Sequence, residues 1–315
     1  LKAEVVEPTA SGVSGIAAVP VVPATRGAVR LADWAEMTKP GISLMVVLTA
    51  GLGFLLAEGT RPGFRFLLLL NTLFGTALVS AAGSVLNHVM ERDTDALMRR
   101  TANRPLPTGR IDPDAALLFG VVLAVAGLAW LSVAVNLLTA LLGAVAIAGY
   151  VFVYTPLKRV SSLATVIGAI PGALPPVMGW SAVTGQVGLA AWVLFGILFF
   201  WQMPHFLAIA WLCREDYANA GFPMLTVLDP DGTRTARQMI LYGAALVPIS
   251  LMPSILGLMG GIYFGGALVL GLVYLGASVA FARSRSTSGA RWLMLASLLY
   301  LPGVLLAMLV DRIAH

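Results

Sequence analysis

The sequence predicts an all-α polytopic membrane protein in which nine transmembrane helices form one bundle. Two composition figures and one pattern carry that reading. Of 315 residues, 58% are hydrophobic and only 11% are charged, against about 25% charged in a soluble domain. Nine apolar runs can be read along the chain, each near the roughly 20 residues that cross a bilayer core. Seventeen of the 20 Lys and Arg fall on one side once these runs are threaded back and forth, which is the bias that orients membrane helices with their basic loops in the cytoplasm. An ordinary soluble enzyme is excluded, and the net charge of +5 serves topology rather than nucleic-acid binding. The single cysteine, Cys213, excludes an internal disulfide and a cysteine metal cluster.

Residues 1–33 read as a flexible cytoplasmic tail rich in Ala, Val, Pro and Gly, with Pro20 and Pro23 breaking the run a signal peptide would need. The membrane domain is 34–315. Its first span, 41–57, follows four basic residues, and the second, 66–90, leads into a charged loop at 91–114. The third and fourth spans, 115–135 and 137–154, return the chain to Lys158 and Arg159. The fifth, 163–183, and sixth, 189–213, end at Arg214, before a second long loop at 214–238. The seventh and eighth, 239–259 and 262–281, precede Arg283, Arg285 and Arg291, and the ninth, 292–310, leaves Arg312 on the far side. The N-terminus is therefore expected in the cytoplasm and the C-terminus across the membrane. No Arg-rich amphipathic stretch is visible, so a bacterial inner membrane is expected. Both long loops lie on the basic face, and long charged loops in a compact bundle point to function there.

The second span closes on Asn87-His88-Val89-Met90-Glu91-Arg92-Asp93-Thr94-Asp95. Asn87, Glu91 and Asp95 are spaced i, i+4, i+8, so on an unbroken helix they stack along one wall with a drift of about 40° per step. Neighbouring carboxylates repel unless a cation or a shared proton lies between them, and hard oxygen ligands suit Mg²⁺ together with phosphate oxygens. Asn87 carries the polar wall into the apolar segment, where polar groups are costly and usually functional. Arg99 and Arg104 supply charge that can fork onto phosphate. Asp93 lies about 200° round from Glu91 and faces elsewhere.

The sixth span carries Trp201-Gln202-Met203-Pro204-His205-Phe206 and ends Arg214-Glu215-Asp216-Tyr217. An Arg and acid cluster again closes a long apolar helix on the basic face, four spans after the first, which reads as a pseudo-repeat with substrate between its halves. Gln202, His205, Ile209, Leu212 and Asp216 follow 3-4-3-4 spacing, so they are expected on one face, with His205 about 16 Å deeper than Asp216. The pocket would then have a charged mouth and a polar point near mid-membrane. Tyr154 and Tyr217 lie near the acidic clusters, whereas His88 falls about 100° off the first one.

These residues resemble the UbiA superfamily of intramembrane prenyltransferases. Asn87-x-x-x-Glu91-x-x-x-Asp95 matches its first acidic motif, with Glu91 where the family mostly has Asp. Glu91 to Asp95 with Arg99 to Pro105, Tyr154 to Arg159, Trp201 to Phe206, and Asp216-Tyr217 with Pro223-Met224-Leu225 are similar to its haem-farnesylating branch. The resemblance covers about 34–310. The second motif departs from the family's, since Asn219 and Ala220 stand where a further carboxylate would follow Asp216.

The resemblance implies a reaction in which farnesyl diphosphate and haem b give haem O and diphosphate, with Mg²⁺ as the metal. It implies catalytic roles for Asn87, Glu91, Asp95 and Asp216, with Glu91, Asp95 and Asp216 as metal ligands. Arg99, Arg104, Lys158, Arg159, Tyr154, Tyr217, Gln202 and His205 become candidates for substrate binding, with His205 a candidate axial contact to haem iron or a group that positions water. The expected partners are the two substrates, the lipid bilayer and a downstream haem-modifying enzyme, with no nucleic acid. Prenyl transfer to an aromatic acceptor would share the acidic walls, but the 154–159 and 201–206 stretches argue against it. A transporter would need charges along the whole path, and here they crowd one mouth. A haem-handling protein without catalysis would need neither Mg²⁺ nor prenyl diphosphate.

Overall fold

A computed structural model describes residues 30–59 and 63–314; most of the expected 1–33 tail lies outside them. Among the described residues nine helices are long and apolar enough to cross a membrane: Pro40–Glu58, Phe66–Asp95, Pro113–Ala134, Leu137–Leu157, Ala164–Thr184, Leu189–Leu212, Thr233–Ile255, Gly261–Ser284 and Thr287–Ala314. The bundle opens with a short helix, α1 (Leu31–Met37), which begins inside the expected tail. Asp33 anchors it by accepting from the Arg30 backbone N–H at 3.0 Å and from Arg110 Nε at 2.9 Å.

The first span is α2 (Pro40–Glu58), and α3 (Phe66–Asp95) is one helix of 30 residues, longer than its apolar run. Its last turns rise out of the apolar layer without breaking, which keeps Asn87, Glu91 and Asp95 in helical register. After α4 (Pro113–Ala134), α5 (Leu137–Ala148) widens into a π-helical stretch over Gly149–Tyr154 and closes as α6 (Thr155–Leu157). Such π segments are uncommon and often mark functional sites. The fifth span is broken into α7 (Ala164–Gly172) and α8 (Pro175–Thr184). Pro175 and Pro176 explain the break, since neither can donate a backbone hydrogen bond to the preceding turn.

The second half comprises α9 (Leu189–Leu212), α10 (Arg214–Asn219), α11 (Leu225–Leu228), α12 (Thr233–Ile255), α13 (Gly261–Ser284) and α14 (Thr287–Ala314). Helix α12 starts earlier than its apolar run because Asp229 caps it, accepting from Thr235 N at 2.7 Å and Thr235 Oγ1 at 2.9 Å.

Lipid supplies no hydrophobic drive between helices, so packing relies on small residues and satisfied polar groups. Helices α2 and α8 cross most closely at Gly53 and Gly179: a Cβ at Gly53 would overlap the Pro176 carbonyl, and one at Gly179 the Ala50 carbonyl. Toward the C-terminal side of the bundle, Asp311 of α14 caps α13, accepting from Ile262 N at 3.0 Å, Tyr263 N at 3.1 Å and Gly260 N. The largest apolar core unites α2, α8, α9, α12, α13 and α14, and a second one joins α3, α4, α5 and α8. The space left between them holds the site.

Candidate active site

A cavity of about 480 Å³ is lined by α2, α3 and the loop that follows it, α5, the π segment, α7, α8, α9 and α10, with Lys39 and Lys158. That volume is typical of a small-molecule site. One wall is the polar face of α3, where Asp95, Glu91, Asn87, Ser84, Ser80 and Thr76 all line the cavity. Helical spacing alone produces this stripe, and the unbroken α3 preserves it. At about 1.5 Å per residue it runs some 28 Å from Asp95 to Thr76.

At the mouth each polar head on α3 has a cationic partner from elsewhere in the chain. Arg104 Nη1 is 2.7 Å from Asp95 Oδ2, Lys158 Nζ is 2.7 Å from Glu91 Oε1, and Lys39 Nζ donates to Asn87 Oδ1 at 2.8 Å. Asn87 Nδ2 donates to Thr155 Oγ1 at 3.0 Å, which in turn donates to the Tyr150 carbonyl at 2.9 Å. The π segment thus delivers Thr155 to the wall. Lys158 is also held over the rings of Tyr154 and Phe222, at 5.2 and 5.4 Å from their centroids. Burial lowers the Lys158 amine, but Tyr154 and Glu91 outweigh it and the net shift is upward, so it stays an ammonium. Tyr217 accepts a hydrogen bond from Arg100 Nη2 at 3.4 Å.

Lys39 was not among the sequence candidates. It adopts a left-handed backbone conformation at φ 47°, which a residue with a side chain pays strain to hold and which concentrates at functional sites. Its ammonium is brought down to about 7 by removal from water and by the charges of Arg104 and Lys158, with Glu91 opposing them. Lys39 directly before Pro40 at the head of the first span was the available signal, and basic residues there are easily assigned to topology alone.

The cavity lining contains four cations, Lys39, Arg100, Arg104 and Lys158, against the carboxylates of Glu91 and Asp95. That surplus suits a polyanion at the mouth. Asp95 Oδ1 is buried without a hydrogen-bond partner among the described residues, and a buried unpaired carboxylate oxygen is costly unless a ligand meets it. Two carboxylates on one helix face and an orphaned oxygen fit a divalent cation that completes its shell with phosphate and water. No group of three or more His, Cys, Asp and Glu side chains that could hold a metal occurs among the described residues.

Several expected residues stand elsewhere. Asp216, at the start of α10, is half-buried and does not line the cavity, so the single face read from Gln202 to Asp216 is not one wall. Helix α9 ends at Leu212 and the chain turns at Cys213, which breaks the register between them. Gln202 points to the broken fifth span, with Nε2 donating to the Ala169 carbonyl at 2.7 Å. His205 faces α14, where its Nδ1 lies 2.6 Å from Ser297 Oγ, and its ring stacks on Trp201 at 5.2 Å. From that helix only Phe206 and Ile209 reach the cavity. Arg99 is exposed and Arg159 is engaged by the Met90 carbonyl at 2.9 Å, both outside the lining. Asp93 is exposed and paired with Arg92 at 3.0 Å. Arg104, Lys158, Tyr154 and Tyr217 do line the cavity, as do Asn87, Glu91 and Asp95.

A model of the UbiA prenyltransferase family matches residues 45–301. The chain belongs to this family. A protoheme IX farnesyltransferase of Solibacter usitatus is 46% identical over 287 residues, covering 89% of this chain and 98% of that one. One from Salinibacter ruber is 46% identical over 279 residues, with the same coverage. Among solved structures, a digeranylgeranylglyceryl phosphate synthase superposes with a TM-score of 0.76 at 18% identity, covering 90% of this chain and 99% of that one. A UbiA homologue from Archaeoglobus fulgidus, bound to DMAPP and Mg²⁺, gives 0.60 at 18%, covering 88% and 99%. At those identities the structures establish the UbiA fold alone.

Proposed function

We propose that this UbiA-family chain is a Mg²⁺-dependent prenyltransferase that joins farnesyl diphosphate to haem b, giving haem O and diphosphate. The observation that carries the reading is a membrane-embedded cavity with a cation-rich carboxylate mouth above an apolar body, in a chain 46% identical to protoheme IX farnesyltransferases over nearly their whole length. A diphosphate needs the mouth and a prenyl chain needs the body. The same two demands explain why the enzyme is an integral membrane protein.

In the reaction the C1–O bond of the farnesyl group breaks and its electron pair leaves with diphosphate. The vinyl π pair forms the new C–C bond, and water adds at the ring-attached carbon. Mg²⁺, when bound, offsets the charge of the departing diphosphate. Glu91 and Asp95 are the residues we assign to hold it, and Asp95 Oδ1 has the free lone pairs to do so. Arg104 and Lys158 exchange their pairing with α3 for the diphosphate oxygens, which gives fixed charge where charge develops, and Lys39 adds its own charge when protonated. Asn87 keeps the wall aligned through Lys39 and Thr155.

His205 supports an anchor for the acceptor at the edge of the cavity, from which a vinyl group of the porphyrin reaches past Phe206 into it. Ser297 Oγ donates to the Met294 carbonyl at 2.5 Å, so at Nδ1 it receives the histidine proton. Nε2 is left with its lone pair, the arrangement usual for a metal-ligating histidine. Phe206, the next residue, lines the cavity and is 36% exposed, so an iron porphyrin at His205 borders the prenyl site. We place the N-terminus on the cytoplasmic side of a bacterial inner membrane, on the strength of the basic bias.

The experiment is incubation of detergent-solubilised protein with haem b, farnesyl diphosphate and Mg²⁺, with and without EDTA, reading haem products by mass. A Mg²⁺-dependent gain of farnesyl plus water is expected. Unmodified haem from folded protein would overturn the proposal.

A further inference from the structure

The hydroxyl groups on α3 below the charged mouth have no use in holding a hydrocarbon chain. Ser84, Ser80 and Thr76 are spaced four residues apart on the cavity wall, and the same cavity is lined by Ile42, Val46, Ile147, Pro175 and Met178, with Tyr150 beside Gly83. Elsewhere in these helices hydroxyls fold back onto the carbonyl one turn earlier: Thr72 onto Leu68 at 2.7 Å, Ser132 onto Leu128 at 2.8 Å and Ser250 onto Leu246 at 2.6 Å. That is the ordinary way to satisfy Ser or Thr inside a helix. Ser84 does not do so. Its side chain lines the cavity at 5% exposure and makes no hydrogen bond among the described residues. Ser80 donates to Ser43 Oγ at 3.1 Å, which leaves its own lone pairs open.

Polar groups in a roomy, otherwise apolar cavity hold water when two or more of them converge. Ser84 and Ser80 are neighbours on one helix face. Ser84 is also the first free hydroxyl below the mouth, about 10 Å along α3 from Glu91. Asn87, one turn nearer the mouth, is already engaged by Lys39 and Thr155.

Resting on the farnesyl-transfer reading above, we propose that Ser84, with Ser80 as second contact, positions the water that is added to the new carbocation. The water oxygen forms the C–O bond at the ring-attached carbon and its proton passes to the departed diphosphate, so no oxidant or reductant is needed. The competing fate of the same cation is loss of a proton from the adjacent carbon. That gives an unsaturated farnesyl adduct lighter than the hydroxylated one by one water. Ser84 is thus a positioning residue that selects between two products.

The test is product analysis by mass in ¹⁸O-enriched water, with haem b, farnesyl diphosphate and Mg²⁺. Wild-type protein is expected to give the ¹⁸O-labelled hydroxylated adduct. Ser84→Val should raise the ratio of unsaturated to hydroxylated adduct about tenfold, the scale of one lost positioning hydrogen bond, with KM for farnesyl diphosphate within about twofold. Ser84→Thr should restore the wild-type ratio. Ser84→Ala repeats the test with a smaller side chain if the valine variant does not fold. A wild-type product ratio in either folded variant, even with slower turnover, overturns the assignment of Ser84. Absence of any haem adduct from the wild-type protein instead overturns the farnesyl-transfer reading itself.

Discussion

Lys158 Nζ and Glu91 Oε1 lie 2.7 Å apart, with both side chains almost wholly withdrawn from solvent at 11% and 5% exposure. The pair closes the mouth of the cavity by joining the end of the fourth span to the end of α3. Removing one member of such a pair leaves an uncompensated charge, at about 3–5 kcal/mol. Lys158→Met should therefore lower thermal stability in detergent, and Lys158→Met with Glu91→Gln should recover most of the loss. Neither variant should transfer farnesyl. Full activity in Lys158→Met would remove Lys158 from the diphosphate site.

Asp95 meets Arg104 with one oxygen, and its other oxygen is buried and unpaired among the described residues, on a side chain that lines the cavity. Asp95→Asn keeps the shape and removes the charge. Turnover should fall roughly a thousandfold, the scale of losing an electrostatic contact made to a departing charge, and raising Mg²⁺ should recover part of it. A variant that keeps wild-type turnover and Mg²⁺ response would show that the metal lies elsewhere.

The pH response of substrate binding should report Lys39. Its amine is held to about 7 in the folded protein, below the ordinary lysine value of 10.5, so it is an ammonium below pH 7 and neutral above. KM for farnesyl diphosphate should rise between pH 6 and 9, and Lys39→Met should flatten that rise. Because the folded value is the lower one, charged Lys39 opposes folding below pH 7, and the penalty fades as pH climbs from about 7 toward 10.5. An unchanged pH profile in Lys39→Met would assign the titration to another group.

His205 and Ser297 divide the work at the proposed acceptor site. His205→Ala should abolish the shift of the haem absorption band on binding. Ser297→Ala keeps the ligand but releases Nδ1, and should weaken haem affinity about tenfold. A spectrum and affinity unaffected by His205→Ala would place the haem away from this face.

Gly179 permits α2 and α8 to cross with backbone nearly touching. Gly179→Ala would drive a methyl group into the Ala50 carbonyl, at about 3 kcal/mol. A thermal melt in detergent should show the loss, and since α8 lines the cavity, farnesyl diphosphate affinity should fall with it. An unaltered melting temperature would mean that the crossing is looser than the geometry indicates.

Local rules made much of this protein readable from its residues. Apolar runs of bilayer length define all nine spans because lipid forces every backbone group to bond within its own helix. The stripe from Asn87 to Asp95 follows from i, i+4 spacing on a helix that does not break. The break at the fifth span, the π segment and the short α1 were not legible, since each depends on what the neighbouring helices demand of a stretch that is apolar in any case. The cations at the mouth needed tertiary structure as well: Lys39 reaches Asn87 across 48 residues and Lys158 reaches Glu91 across 67. No local pattern announces such partners.

Helix α9 shows the division most clearly. Its residues are apolar on every side, so periodicity could put Gln202, His205 and Asp216 in register but could not say which neighbour each would meet. Packing turned Gln202 to α7 and His205 to α14, leaving Phe206 and Ile209 to the cavity. The sequence by itself determined the membrane bundle, the family resemblance and the carboxylate wall, because hydropathy and helical spacing are local. Only the tertiary structure decided which cations meet that wall and where His205 faces, because those follow from distant chain segments competing for the same contacts.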